Sequence, residues 1–310
     1  MKNKVLATTA VIALGFTLSA CSTSGFDRAD CSVGGPTVDL VSANSDLTKT
    51  PNPSFPFPLK AVDTEVNVVV NGTGAPVIEN QIIKTRISIY SGKDGSLVYD
   101  GNHSDMRTDP LFLLVNDATI GDSQFAETLD ALKCSTVGSR FIVTTPAGQV
   151  FSQEEAVMMG LDENDALVFL YDVIGSMLPK ADGAERLVSN NNVPSVSLAP
   201  DGTPGLTFRT APVPSEQIVI VLKQGNHEKL ESGDAIAVHQ TTWSWKNRAV
   251  TDSSWTGKTP SAFSLGSNEK ELIPDEVLLQ YPVGSQLMIV TPNADGSDAS
   301  IVVVDILGIL

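Results

Sequence analysis

The residue types that most often do chemistry are sparse in this 310-residue chain, and their spacing suits none of the common reactions. Its three histidines, His103, His227 and His239, stand on different segments, with no cysteine or carboxylate at a metal-ligand spacing. No Gly-x-Ser-x-Gly occurs, so serine hydrolase chemistry has no support. Asn71-Gly72-Thr73-Gly74 lacks the lysine and the spacing of a phosphate loop and reads as a turn. No Cys-x-x-Cys is present, which leaves no sign of a thioredoxin-like redox site or a zinc ribbon.

Among the three thiols, Cys21 has the clearest chemical setting. Lys2 and Lys4 precede an uncharged run of 14 residues from Val5 to Leu18, and Leu18-Ser19-Ala20-Cys21 follows. A basic start and a short apolar run have the form of a secretory signal. The run is shorter than the roughly 20 residues that span a bilayer. Small residues directly before a cysteine have the form of a bacterial lipobox. Residues 1–20 are therefore expected to be removed and Cys21 to carry the lipid, leaving the protein extracytoplasmic and anchored to the cell membrane. An ordinary secretory signal ending near a cysteine is the alternative. Cys31 and Cys134 are then left for one disulfide in an oxidising compartment, worth at most about 4–5 kcal/mol on chain-entropy grounds for a loop of roughly 100 residues. Two unpaired small apolar side chains are the alternative.

Composition narrows the partners. The net charge of −16 becomes −18 once Lys2 and Lys4 leave with the signal, and phosphate binding needs a basic face, so nucleic acid is not a partner. Some 290 residues after the signal suit two domains rather than one. Residues 21–60, rich in Ser, Gly, Thr, Asn and Pro, read as an extended tether. Residues 183–214, with Pro194, Pro200, Pro204, Pro212 and Pro214, read as a linker, parts of which could pack on the second domain. The folded domains are then 61–182 and 215–310.

The elements that must position any site are mostly strands. β-Branched runs at 66–70, 82–89, 140–144 and 167–174 are answered by runs at 217–222, 235–243, 286–290 and 301–307. Helical signal is confined to 123–132 and 275–279, each just before a Val-Gly-Ser. The halves repeat. Val137-Gly138-Ser139-Arg140 answers to Val283-Gly284-Ser285-Gln286, and Tyr99-Asp100-Gly101 to Thr251-Asp252-Ser253. Pro36-Thr37-Val38-Asp39-Leu40 answers to Pro194-Ser195-Val196-Ser197-Leu198.

The order of pieces in the second half resembles the FKBP-type peptidyl-prolyl isomerase family: Gly233-Asp234, His239-Gln240, Thr251-Asp252-Ser253-Ser254, Phe263-Ser264-Leu265-Gly266, Val283-Gly284 and Val303-Val304-Asp305-Ile306-Leu307. The first half keeps the order with Asp94-Gly95, Tyr99-Asp100, Leu111-Phe112-Leu113-Leu114, Phe125 to Leu129, Val137-Gly138 and Leu167-Val168-Phe169. The resemblance implies an α+β, β-rich fold of two domains, each a twisted antiparallel sheet curled around one short helix.

It also implies an apolar cradle for a proline ring. In the first domain Tyr99 and Asp100 match the Phe-Asp position, Phe125 the floor of the pocket and Phe169 the last-strand aromatic, and these are the expected catalytic residues. Leu111, Leu113 and Phe151 would line the cradle, with Ile87 or Ile89 replacing a strand tyrosine. In the second domain Asp252 and Phe263 are kept as binding residues. There Gln240, Pro274 and Val302 stand where aromatics belong, so its pocket is degenerate, and Trp243, Trp245 and Trp255 could build another face. Asp100 and Asp252 could equally be turn formers, and Phe125 and Phe169 plain core.

Rotation about a peptide bond to proline crosses a barrier of about 18–20 kcal/mol and needs no nucleophile. An apolar site complementary to the twisted amide suffices, without a cofactor or metal. The expected activity is prolyl isomerisation of exported or unfolded polypeptides by a monomer, mainly in the first domain. A non-catalytic chaperone or binding lipoprotein on the same folds is the alternative. An immunoglobulin-like tandem would leave the helix before each Val-Gly-Ser unexplained.

Overall fold

The β-branched runs form two antiparallel sheets. The computed structural model describes residues 34–115, 126–133, 135–188, 192–266 and 273–310. In the first half, β1 (Glu65–Val70), β2 (Gln81–Ser91), β3 (Leu97–Gly101), β4 (Leu111–Val115), β5 (Arg140–Pro146) and β6 (Ala166–Ser176) make a six-stranded sheet. Its order is β1-β5-β6-β2-β3, with β4 also pairing β2. Helix α1 (Ala126–Lys133) packs between β4 and β5, while α2 (Ala147–Val150) and α3 (Gln153–Met158) occupy the β5–β6 connection. A capping box fixes the start of α3: Ser152 accepts from the Glu155 amide, and the Glu155 carboxylate accepts from the Ser152 amide. The expectation of one short helix per domain is thus exceeded in the first half.

In the second half β7 (Ala184–Glu185) is an edge strand, and β8 (Ser195–Leu198) pairs with β9 (Pro204–Thr207) as a separate hairpin. β10 (Ile218–Gln224), β11 (Ala235–Ser244), β12 (Ala249–Ser253), β13 (Ser261–Ser264), β14 (Gln286–Pro292) and β15 (Ala299–Ile309) complete a sheet of order β12-β11-β15-β14-β10-β7, with β13 on β11. Helix α4 (Asp275–Leu278) begins after Pro274, which stands at the N-cap.

The duplication holds in the hydrogen bonding. Asp172 lies between Arg140 and Arg86, and Asp305 between Gln286 and His239. Gly138 and Gly284 both have φ near +90°, at 91° and 89°, a conformation that suits glycine. The amides of Gly72 and Gly225 donate to Ser139 Oγ and Ser285 Oγ at 2.9 and 3.0 Å. The register corrects two sequence alignments. Ile89 faces Tyr99 and Thr242 faces Asp252, so Asp252 matches Tyr99, and Ser253 matches Asp100. Ile83 faces Leu113 and Ile236 faces Phe263, so Phe263 matches Leu113 rather than Leu111.

Each sheet is covered on both faces, and the covering differs from the extended tether and linker expected. One face of the first sheet, with Phe141, Val143, Phe169 and Tyr171, packs under the helices. The other, with Ile142, Val168 and Leu170, is roofed by Val38, Val41, Leu59 and Ala61. Residues 34–61 are therefore a structural layer of the first domain. Likewise Val193, Val196, Leu206, Phe208 and Val213 roof the second sheet over Trp243, Trp245 and Met288. Trp243 and Trp245 are core residues, which removes them from any binding face. The Pro36 and Pro194 prefixes also diverge, one giving a 3₁₀ turn at Val38–Leu40 and the other strand β8.

The two sheets join through the strap after β6. The Met177 amide donates to Ile82 O, and the Leu178 amide to Leu307 O. Met177 packs with Ala237 and Leu307 of the second domain and Ile82 of the first. Cys31–Leu310 accordingly form one compact unit.

Candidate functional site

Strand alternation sorts the first sheet into two chemically different faces. Ile89 sits opposite both Tyr99 and Phe169, and Ile87 opposite both Gly101 and Tyr171. These positions share the helix-covered face with Leu111 and Leu113, which pair Thr85 and Ile83. Tyr171 stacks on Phe141 at 5.1 Å and on Phe169 at 6.0 Å between ring centroids, and its hydroxyl meets Thr128 Oγ1 at 2.8 Å. Burial pushes the Tyr171 phenol well above its ordinary range. In the second domain the matching positions are Leu287, Val302 and Val304, so the ring stack belongs to the first domain alone.

Exposure separates the expected site residues. Phe169 is 1% exposed and serves as core. Tyr99 is 47% exposed, and Ile87, Val98, Leu111 and Leu113 are half-buried beside it. Gly101, which closes the Tyr99-Asp100-Gly101 repeat and was given no role there, sits beneath them. A Cβ there would lie 2.8 Å from Leu111 Cδ1 and 3.0 Å from Tyr99 Cε1, so both side chains close over it. Phe151 is half-buried against the same core at the start of α3. Phe125, Cys21, Cys31 and Cys134 lie outside the described residues.

Asp100 goes to the other face. It pairs with Ser88, whose neighbour Leu170 is in the roofed core. Its carboxylate accepts from the amides of His103 and Ser104, at 2.9 and 3.1 Å, and from the Ser104 hydroxyl. Partial burial would raise its pKa, but those hydrogen bonds outweigh it and hold the carboxyl below its usual value. Asp100 is thus the turn former, separated from the Tyr99 surface by the thickness of the sheet. Asp252 is exposed on β12, and Phe263 is half-buried against the second core.

Among the described residues, the roofed face holds a buried polar network centred on Arg140, which the sequence motifs did not reveal. Arg140, fully buried, donates to both Asp172 oxygens at 2.6 Å and to the carbonyls of Asn44, Asp46 and Lys49. His103 Nε2 lies 3.2 Å from Asp172, and its Nδ1 lies 2.9 Å from Ser88 Oγ. Burial raises the Asp172 pKa, but Arg140 and His103 outweigh it and the net shift is downward. This arrangement clamps the roof to the sheet. Among the described residues, no group of His, Cys, Asp and Glu is placed to hold a metal ion.

No protein-family model matches the chain, and no curated protein matches it in sequence. Solved structures to which it is similar are FKBP-type peptidyl-prolyl isomerases and multi-FKBP-domain proteins. The three FKBP domains of wheat FKBP73 align over 80% of this chain and 94% of theirs, at 12% identity and a TM-score of 0.32. A peptidyl-prolyl cis-trans isomerase from Pseudomonas syringae pv. tomato aligns over 36% of this chain and 74% of its own, at 18% identity and 0.28. FkpA from Escherichia coli aligns over 39% and 53%, at 16% and 0.27. At that level of likeness, residue roles rest on the registers and exposures above.

Proposed function

We propose that the protein is a membrane-tethered peptidyl-prolyl cis-trans isomerase of FKBP type that acts on exported polypeptides, with its working surface in the first domain. The observation that carries the reading is the half-exposed apolar group of Tyr99, Leu111, Leu113 and Ile87 over Gly101. The buried stack of Phe141, Tyr171 and Phe169 braces that group from within. Such a surface can hold a proline ring. Twisting the amide reduces its charge separation, so an apolar surround favours the twisted state over the planar one. No proton transfer is needed, which fits a carboxylate, Asp100, that is committed elsewhere.

The lipid on Cys21 and residence at the outer face of the membrane belong to this proposal. Their support is the Leu18-Ser19-Ala20-Cys21 sequence after an apolar run. Among the described residues no helix is long and apolar enough to cross a membrane.

A second reading, a non-catalytic binding protein on the same fold, is favoured by one observation: Phe169, the expected catalytic aromatic, is almost wholly buried. A protease-coupled assay with a proline tetrapeptide separates the two. Acceleration that Leu111→Ala diminishes and Asp252→Ala leaves unchanged is expected. No acceleration by the folded wild type would leave the binding reading, and loss in Asp252→Ala with Leu111→Ala unchanged would move the site to the second domain.

A further inference from the structure

Helix α3 leaves its apolar side facing water. It buries only Ala156, whereas Val157 and Met158 within it and Met159 just after it are 68%, 80% and 50% exposed. A contiguous exposed apolar patch on a soluble surface commonly marks an interaction site, and methionine adapts its shape to varied partners. Beside the patch runs a cleft of about 730 Å³, whose apolar wall is Phe151, Ala156, Val157 and Leu161. Ala156 and Leu161 belong to the first domain's core, so the cleft floor is fixed while its lip is free.

The charge around the cleft is one-sided. Asp162 and Glu163 line it and are exposed, and Glu154 and Glu155 stand in the first turn of α3, where Glu155 caps the helix start. Lys60 is held by Asp162 at 3.2 Å and Asp165 at 2.6 Å, and Lys93 donates to the Gly160 carbonyl. Both nearby cations are therefore engaged, and the rim presents an acidic excess. From this geometry we infer that the α2–α3 connection is a docking groove for an extended apolar polypeptide segment flanked by lysine or arginine.

The inference deepens the isomerase reading, on which it rests for its biological sense, by giving the client's chemistry. The groove would hold an unfolded chain on the same domain that carries the Tyr99 surface, since Phe151, Leu113 and Val98 pack on one core. Apolar contact supplies the affinity, and the acidic rim selects basic flanks.

The test uses the Cys31–Leu310 unit and a fluorescent, proline-free peptide with a leucine-rich centre and lysines at both ends, read by anisotropy. Binding is expected to weaken roughly tenfold with Val157→Asp or Met158→Asp. It should also weaken when glutamates replace the lysines, and as added salt shortens the Debye length from about 10 Å at 0.1 M. Both substitutions are at exposed positions, and circular dichroism confirms folding. No binding, or binding indifferent to both substitutions, would overturn the inference. So would a concentration-dependent dimer abolished by Met158→Asp, because the patch would then serve a second copy of the chain. Because the peptide lacks proline, its binding can succeed where tetrapeptide isomerisation fails, and the two readings stand or fall separately.

Discussion

A ring that grips a substrate must offer surface to it, and a ring that fills a core must not. Tyr99 and Phe169 face each other across Ile89 and fall on opposite sides of that division. Tyr99→Ala is expected to leave the thermal midpoint nearly unchanged and to lower isomerase turnover about tenfold or more. Phe169→Ala should instead cost about 3–5 kcal/mol of stability by opening a cavity, measurable by urea unfolding. Asp100→Asn is expected to keep most activity, since the Asp100 carboxylate serves the His103–Ser104 turn on the far face. A large loss of activity in a folded Asp100→Asn variant would return the aspartate to the site. The aromatic identities were legible in the sequence because motif order preserves them. Exposure was not, because it depends on which neighbours the sheet register delivers.

Two carboxylates at matching positions of β6 and β15 are treated oppositely by their surroundings. Asp172 has Arg140 and His103 beside it and is shifted down. Asp305 has Gln286 and the Ala181 amide, and burial shifts it up. The depressed group contributes stability above its unfolded value of 3.8, which is lost as pH falls through the lower folded value. The raised one contributes most below 3.8 and loses that contribution as pH rises through its folded value. Asp172→Asn leaves Arg140 without its buried partner and is expected to cost about 3–5 kcal/mol at neutral pH. Hydrogen exchange should then accelerate first in residues 34–61, the roof that Arg140 holds. His239, buried against Trp255 at 4.1 Å between rings, has its pKa lowered from 6.5 to about 4 by desolvation. The neutral imidazole favours the fold, so stability of about 3 kcal/mol is lost as pH falls from 6.5 to about 4. His239→Gln should flatten the melting temperature across that window. The strands themselves were readable from their Val, Ile and Thr runs. The roof was not, because a proline-rich segment bears the same composition whether it dangles or packs. Its partners, Ile142 and Leu170, lie about a hundred residues away in the chain.

At the scale of the molecule, duplication has produced two sheets of shared register with unequal inner faces. The first carries Phe141, Phe169 and Tyr171, and the second Leu287, Val302 and Val304. Val-Gly-Ser and the glycine conformations it imposes persist in both, which is why the repeat could be read from the sequence. The slip that set Asp252 against Asp100 arose because motif matching aligned the shared aspartate. The bulges beside Ile89 and Thr242 add one residue at the same place in both halves and keep the register that matches Asp252 with Tyr99. Since Met177 and the roof tie each domain to its surroundings, the whole Cys31–Leu310 unit rather than an excised sheet is the piece to assay. The most direct test of the account is two-dimensional NMR exchange on a proline peptide, with that unit present at catalytic concentration. Cis–trans exchange that accelerates with wild type and falls back with folded Tyr99→Ala is the expected result. Exchange no faster than in free peptide, with wild type shown to be folded, would contradict it.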